Sequence, residues 1–179
     1  MIIGERVRLR SIEREDLPRF VEWLNDPEVR INLAAYLPMS RAREEMWFEE
    51  MMKRPPEEHA LGIDVGSGDT WNLIGSCGLS DINWQERGAE LGIMIGAKDE
   101  WNKGYGTEAM RLLCKHSFET LNLYRLYLHV YEDNPRAIRS YEKVGFVHEG
   151  RLRAARYENG RYTDVLSMSI LRPEWDAGK

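Results

Sequence analysis

The stretch Trp101-Asn102-Lys103-Gly104-Tyr105-Gly106-Thr107-Glu108-Ala109 decides which fold this sequence predicts. It follows an apolar run at residues 91–95 and precedes apolar residues at helical spacing over about 107–121, which is the order strand, turn, helix. The first amides of a helix have no partner within it, and the helix dipole adds positive potential there. Gly104 and Gly106 lack a Cβ, so a ligand can approach the main chain closely. The stretch predicts a phosphate site formed by backbone amides, with Lys103 adding charge, although an ordinary strand-to-helix turn would have the same pattern.

A second stretch, Asn134-Pro-Arg-Ala-Ile-Arg-Ser-Tyr-Glu-Lys-Val-Gly-Phe146, favours the ligand-binding interpretation. Together the two stretches resemble the GNAT superfamily of acyl-CoA N-acyltransferases. The second matches the family helix N-x-x-A-x-x-x-Y-x-K-x-G-F at each fixed position, and Trp101-x-x-Gly104-x-Gly106 is similar to the family loop R/Q-x-x-G-x-G/A. Trp101 departs from the usual Arg or Gln, but tryptophan is expected in the branch that acetylates ribosomal-protein N-termini. The resemblance covers most of the chain and is most specific over residues 89–146.

Length and composition indicate a single globular domain spanning residues 1–179, with 42% hydrophobic and 31% charged residues. No apolar run has the length of a membrane span, and the N-terminus lacks the apolar segment of a signal peptide, so we expect a cytoplasmic protein without a membrane partner. A net charge of −5 argues against general nucleic-acid binding. Cys77 and Cys114 are too few for a disulfide framework, and no His pair has metal-ligand spacing, so no metal is expected.

Periodicity along the chain predicts the element order β-α-α-β-β-β-α-β-α-β-β. Spacing alone leaves α+β and α/β classes open, without a topology. The resemblance implies the GNAT fold, which is a mixed, mostly antiparallel sheet flanked by helices. The predicted strands are 6–12, 59–65, 71–79, 89–95, 124–130, 146–157 and 161–171, with turns at 66–69 and 159–160, and the predicted helices start at Ser11, Ser40, Thr107 and Asn134.

The resemblance implies acetyl-CoA as co-substrate and direct attack of a primary amine on the thioester, without a covalent intermediate. Residues 93–95 would pair with the pantetheine arm as an added strand, and Asn134 would hold the same arm. The expected cofactor-binding residues are Ile93, Met94, Ile95, Trp101, Asn102, Lys103, Gly104, Tyr105, Gly106, Thr107 and Asn134.

Two residues are candidates for the proton transfers that the reaction requires. Tyr141 lies about 10 Å beyond Asn134 on one helix face, and the resemblance makes it the acid that protonates the thiolate; without the resemblance it would be a core tyrosine. Glu90 is the candidate base, and the alternative is an ordinary solvated strand carboxylate. His129 is a more distant base candidate. Both cysteines are expected to be core residues, not nucleophiles.

The acceptor amine can be argued only from proton affinities. Only a neutral amine attacks, and the pKa is about 7.8 for a chain N-terminus but about 10.4 for a lysine-like amine, which therefore needs a stronger base. The sequence shows no acidic pair or His cluster aimed at the site, which favours the N-terminal amine of a peptide or protein. The alternative is a polyamine or an amino sugar, because residues 121–128 and the Asn134 helix also resemble those acetyltransferases. An acyl-CoA-binding module without turnover is disfavoured by the retained Tyr141, and both a monomer and a homodimer remain open.

Overall fold

A computed structural model of the chain describes residues 1–67 and 70–178. The strands are β1 (Ile2–Ile3), β2 (Val7–Ser11), β3 (Leu61–Ser67), β4 (Thr70–Asn83), β5 (Gly88–Ile95), β6 (Arg125–Tyr131), β7 (Val147–Glu158) and β8 (Arg161–Leu171). The helices are α1 (Leu17–Asn25), α2 (Pro27–Arg30), α3 (Arg41–Met52), α4 (Tyr105–Glu119), α5 (Pro135–Val144) and α6 (Arg172–Ala177).

All eight strands belong to one sheet with the order β1-β2-β3-β4-β5-β6-β8-β7. Every neighbouring pair is antiparallel except β5 and β6, which run parallel. That parallel pairing extends only from Gly88–Arg125 to Glu90–Tyr127. Beyond it β5 continues to Ile95 and β6 to Tyr131, but the two strands no longer pair with each other. A gap therefore opens between them. The expected mixed, mostly antiparallel sheet flanked by helices is confirmed.

Helices cover both faces of this sheet. Neighbouring residues of a strand point to opposite faces, and in β4 Leu73 packs with α1, α2 and α3, whereas Ile74 packs with α4 and α5. The α4 side is the larger core and includes Phe118, which is fully buried. None of the helices in the described part of the chain is long and apolar enough to span a membrane.

Local hydrogen bonds account for where most helices and strands begin and end. One predicted helix start is wrong. Ser40 caps α3 as expected, since its Oγ accepts a hydrogen bond from the Arg43 amide at 3.2 Å. Ser11 does not cap α1: it ends β2, and a 3-10 turn at Arg14–Asp16 precedes the helix. Asp16 causes this delay because its carboxylate accepts from the Glu13 amide at 2.8 Å.

Left-handed backbone positions explain two further boundaries. Gly104 has φ +86°, which places the start of α4 at Tyr105, two residues before the predicted start. Asn159 and Gly160 have φ +50° and +82°, which confirms the predicted hairpin turn. The predicted turn at residues 66–69 lies partly outside the described residues, and β1 and α6 were not predicted.

Gly96 offers a test of how α1 is held against the end of β5. A Cβ at Gly96 would lie 2.0 Å from an atom of the Trp23 indole, whereas a Cβ at Gly92 would meet nothing within 4 Å. We expect Gly96→Ala to lower the free energy of unfolding by about 1–3 kcal/mol, because helix α1 must move. Gly92→Ala, the matched control, should change it by less than about 0.5 kcal/mol. Equal denaturant midpoints for the two variants would contradict this packing.

Candidate active site

A cleft of about 510 Å³ occupies the gap between the diverging ends of β5 and β6. Residues 91–95 form one wall and residues 129–131 the other. The start of α4 and one face of α5 lie at one end, and residues 32–34, which follow α2, contribute a further wall.

The β5 edge that faces the gap has unused backbone groups. Trp101 Nε1 donates to the Ile95 carbonyl at 2.8 Å, so this carbonyl points away from β4. Alternation along the strand places the main-chain groups of Ile93 on the same side and those of Met94 towards β4. Ile93 therefore presents a free edge to a ligand, whereas Met94 can contribute only its side chain.

The turn before α4 leaves space beside its first amides. Gly104 takes the left-handed conformation, and Asn102 does so too with φ +62°. A Cβ at Gly106 would lie 3.7 Å from Ile95 Cγ1 and 3.9 Å from Ile93 Cδ1, which are ordinary contacts. Nothing in the described chain therefore excludes a side chain at Gly106. The absence of one leaves room in the cleft at the positive end of the α4 dipole.

The positively charged side chains of the cleft do not include Lys103, the one expected from the sequence. Lys103 lies outside the lining, and its amine is bound to Glu100 at 2.9 Å. Three cations of α5, Arg136, Arg139 and Lys143, line the cleft instead, and none forms an ion pair with a residue that the structure describes. Their spacing of three and four residues marks one helix face, a signal present in the sequence.

Arg136 is the most enclosed of these cations. Its guanidinium lies 3.7 Å from the centroid of the Trp101 ring. Burial lowers the pKa of Arg136 below its usual value, because its charge is partly removed from water. A bound anion would offset that desolvation, so the residues at this end of the cleft fit a phosphate.

Asn134 and Tyr141 both line the cleft, as predicted for one face of α5. Asn134 caps α5 through its Oδ1, which accepts from the Ala137 amide at 3.2 Å. Tyr141 is 8% exposed and packs its ring against Phe146. Burial raises the pKa of the Tyr141 phenol to about 12, so the group is protonated at neutral pH.

The structure brings together Glu90 and His129, which the sequence left apart. Glu90 Oε1 and His129 Nδ1 are 2.7 Å apart, one on β5 and the other on β6. Because an ionised carboxylate only accepts, this contact assigns the proton of a neutral imidazole to Nδ1 and leaves the lone pair on Nε2. His129 lines the cleft and Glu90 does not. The sequence shows no acidic pair or His cluster aimed at the site, and the structure adds a mixed pair of one glutamate and one histidine there.

The cysteines belong to the core. Cys77 and Cys114 are buried, and burial raises the pKa of Cys77 to about 12 and that of Cys114 further. Neither is a thiolate at neutral pH, which confirms the expectation. Within residues 1–67 and 70–178, no three His, Cys, Asp or Glu side chains are grouped in a way that could hold a metal ion.

Eleven of the thirteen site residues predicted from the sequence line this cleft; Glu90 and Lys103 do not. The lining residues that the sequence analysis missed are Val29, Asn32, Leu33, Ala34, Leu91, Gly92, Glu100, Val130, Tyr131, Arg136, Ala137, Arg139, Ser140 and Lys143.

Comparison with known proteins agrees with this geometry. The family model described as an acetyltransferase (GNAT) domain matches residues 6–147. The chain is 35% identical over 173 residues to a spermidine N(1)-acetyltransferase of Vibrio cholerae, covering 97% of each chain. It is 27% identical to the putative ribosomal N-acetyltransferase YdaF of Bacillus subtilis, over 99% of this chain and 97% of the relative.

The solved structures give the same result. A crystal structure of spermidine N-acetyltransferase from Vibrio cholerae in complex with CoA and spermine superposes with a TM-score of 0.85 at 32% identity, over 96% of this chain and 99% of the other. The fold, the cleft and these relatives together show that the chain belongs to the GNAT acetyltransferase family and is an acetyl-CoA-dependent N-acetyltransferase.

Proposed function

We propose that this enzyme transfers the acetyl group of acetyl-CoA to a primary amine of a polyamine such as spermidine. The observation that carries the proposal is the Glu90–His129 pair, because it gives the cleft a base able to deprotonate a strongly basic amine. Relatives named spermidine N-acetyltransferases support the same acceptor. The transfer is direct, since both cysteines are buried and protonated.

Acetyl-CoA supplies an activated thioester, and this chain holds it at the α4 end of the cleft. The amides of Lys103 to Thr107 and the side chains of Arg136 and Arg139 bind the phosphates. The free main-chain edge at Ile93 pairs with the amide-bearing arm. Met94, Trp101 and Asn134 shape the walls around that arm, and the amine of Lys103 stays with Glu100.

Proton removal falls to the pair of residues between β5 and β6. His129 accepts the amine proton at Nε2, and Glu90 stabilises the imidazolium through Nδ1–H. Glu90 therefore acts as a base through His129, not by contact with the amine. His129 first takes a proton from the ammonium group, and the neutral nitrogen then attacks the acetyl carbon. The C–S bond breaks, so the acetyl group passes to nitrogen and CoA leaves as the thiolate.

Tyr141 is placed to assist the departing sulfur. An ordinary thiol has a pKa of about 8.5, well below that of the buried phenol, so complete proton transfer would be unfavourable in water. The apolar cleft raises the pKa of a thiol as well, which reduces that difference. Tyr141 first donates a hydrogen bond to the developing thiolate. Transfer of the phenol proton to sulfur then completes the departure of CoA.

A peptide α-amine, the acceptor that the sequence analysis favoured over a polyamine, is the second candidate. The wall formed by Val29 and residues 32–34 carries no acidic side chain to bind the distant ammonium groups of a polyamine. The similarity to the putative ribosomal N-acetyltransferase agrees with this alternative. The two acceptors differ in how strongly they need the base.

Gly106→Ala tests the phosphate site. The added methyl would project into the cleft while meeting only ordinary contacts in the protein, so stability should be kept. We expect acetyl-CoA affinity by calorimetry to fall roughly tenfold or more, through overpacking of the bound phosphates. Gly150→Ala, at a strand position where a Cβ meets nothing within 4 Å, is the control. An unchanged acetyl-CoA affinity in folded Gly106→Ala would show that the phosphates do not bind at this turn.

Tyr141→Phe tests the acid. It keeps the ring against Phe146 and should leave acetyl-CoA affinity within twofold, while kcat falls by about ten- to a thousandfold. Because the pKa of Tyr141 is raised to about 12, the native kcat should show no loss from phenol ionisation below about pH 11. If the chemical step limits the native kcat and Tyr141→Phe leaves kcat unchanged, Tyr141 has only a packing role.

The acceptor is tested by thiol release with spermidine, spermine, glucosamine and peptides that begin with Ser, Ala or Met. We expect the highest kcat/KM at neutral pH with a polyamine. Glu90→Gln should lower kcat/KM more for spermidine than for any peptide, because only the polyamine amine is almost wholly protonated at pH 7. Turnover of peptides without turnover of polyamines would establish the second candidate instead.

A further inference from the structure

Arg156 is the one buried residue of β7, all of whose residues are described. Its side chain is 2% exposed, on an edge strand that otherwise faces solvent. A register shift in the β7–β8 pairing between Leu152 and Arg156, with Ala154 at φ +50°, turns the strand at this point. The bulge therefore directs a charged side chain into the protein, which is costly unless its hydrogen bonds are used.

The guanidinium of Arg156 joins three other segments of the chain. Nη1 binds both carboxylate oxygens of Asp133, at 3.0 and 3.3 Å, on the corner between β6 and α5. The group stacks 3.9 Å from the ring centroid of Tyr131 at the end of β6. Nη2 donates to the backbone carbonyl of Ile31, which is 125 residues away in sequence.

The Ile31 contact is an anchor for one wall of the cleft. Residues 32–34, which line the cleft, follow directly, and burial together with the nearby Tyr36 raises the pKa of the Tyr131 phenol. The far end of the same loop is held by Asn25, whose amide group exchanges two hydrogen bonds with the Met39 backbone at 2.8 and 2.9 Å. The loop is thus fixed at both ends by side chains from other elements.

This wall lies on the acceptor side of the cleft. Tyr131 is two residues from His129 on β6, so both side chains share one face of the sheet. Arg156 holds the Ile31 carbonyl beside the Tyr131 ring, so the wall lies on the sheet face that carries His129. In the proposed reaction the amine has to reach His129, so a loop on this face is placed to contact the amine.

We propose that Arg156 is a positioning residue that sets acceptor affinity by fixing residues 31–34, an inference that rests on the proposed function. Its contact is to a backbone carbonyl, so the position of the wall depends on the arginine whatever side chains the loop carries. Asp133 retains Arg161 at 3.5 Å when Arg156 is removed, so the corner keeps one ion pair.

Arg156→Met, which keeps the length and removes the charge, tests this assignment. We expect the acceptor KM to rise roughly tenfold, the scale of one lost charged hydrogen bond, with kcat and acetyl-CoA affinity within twofold. Amide hydrogen exchange over residues 31–37 should become faster. Arg151→Met is the matched control: it lies on β7 and binds Glu132 and Asp164, but does not contact the loop, so neither readout should change.

Arg156→Lys gives a second variant in case the first does not fold. Lysine cannot bind Asp133 and the Ile31 carbonyl with a planar fork, so an intermediate rise in acceptor KM is expected. Lower thermal stability with unchanged acceptor KM and unchanged loop exchange, in whichever variant folds, would overturn the proposal. Failure of the proposed function would show differently, as absence of polyamine turnover by the native chain, and the exchange measurement would still decide whether Arg156 anchors the loop.

Discussion

The three-residue parallel pairing between β5 and β6 is the constraint on which the site depends. Parallel neighbours need a crossover, and α4 provides it, so the amides at its start follow the part of β5 that is not paired with β6. Since the strands diverge beyond Glu90 and Tyr127, the sheet presents an unpaired edge inside the protein. That edge, the helix start and the Glu90–His129 pair between the strands follow from one interruption of the sheet.

The two ends of the cleft differ in charge, and this difference orders the substrates. Arg136, Arg139 and Lys143 have no acidic partners among the residues that the structure describes, so the phosphates of the proposed co-substrate would bind there without breaking an ion pair. In the proposed reaction a cationic amine would be repelled from that end and would meet His129, with Glu90 behind it. Tyr141 lies buried in the lining that joins the two ends.

Sequence predicted the parts of the site that depend on local chemistry. The left-handed Gly104, the cap formed by Asn134 and the position of Tyr141 on its helix are all set within a few residues. The ion pair that keeps Lys103 on Glu100 is equally local, and the spacing of three residues between them could have predicted it. The contacts Glu90–His129 and Ile31–Arg156 span 39 and 125 residues and depend on strand order and a bulge, which periodicity does not specify.

Amide hydrogen exchange of Ile93 and Met94, measured by NMR with and without CoA, tests the central claim most directly. The Met94 amide, turned towards β4, should be protected in both states. The Ile93 amide, turned into the gap, should exchange rapidly in the free protein and become protected when CoA binds between β5 and β6. Protection of Ile93 without ligand, or no change when saturating CoA is added, would contradict the account.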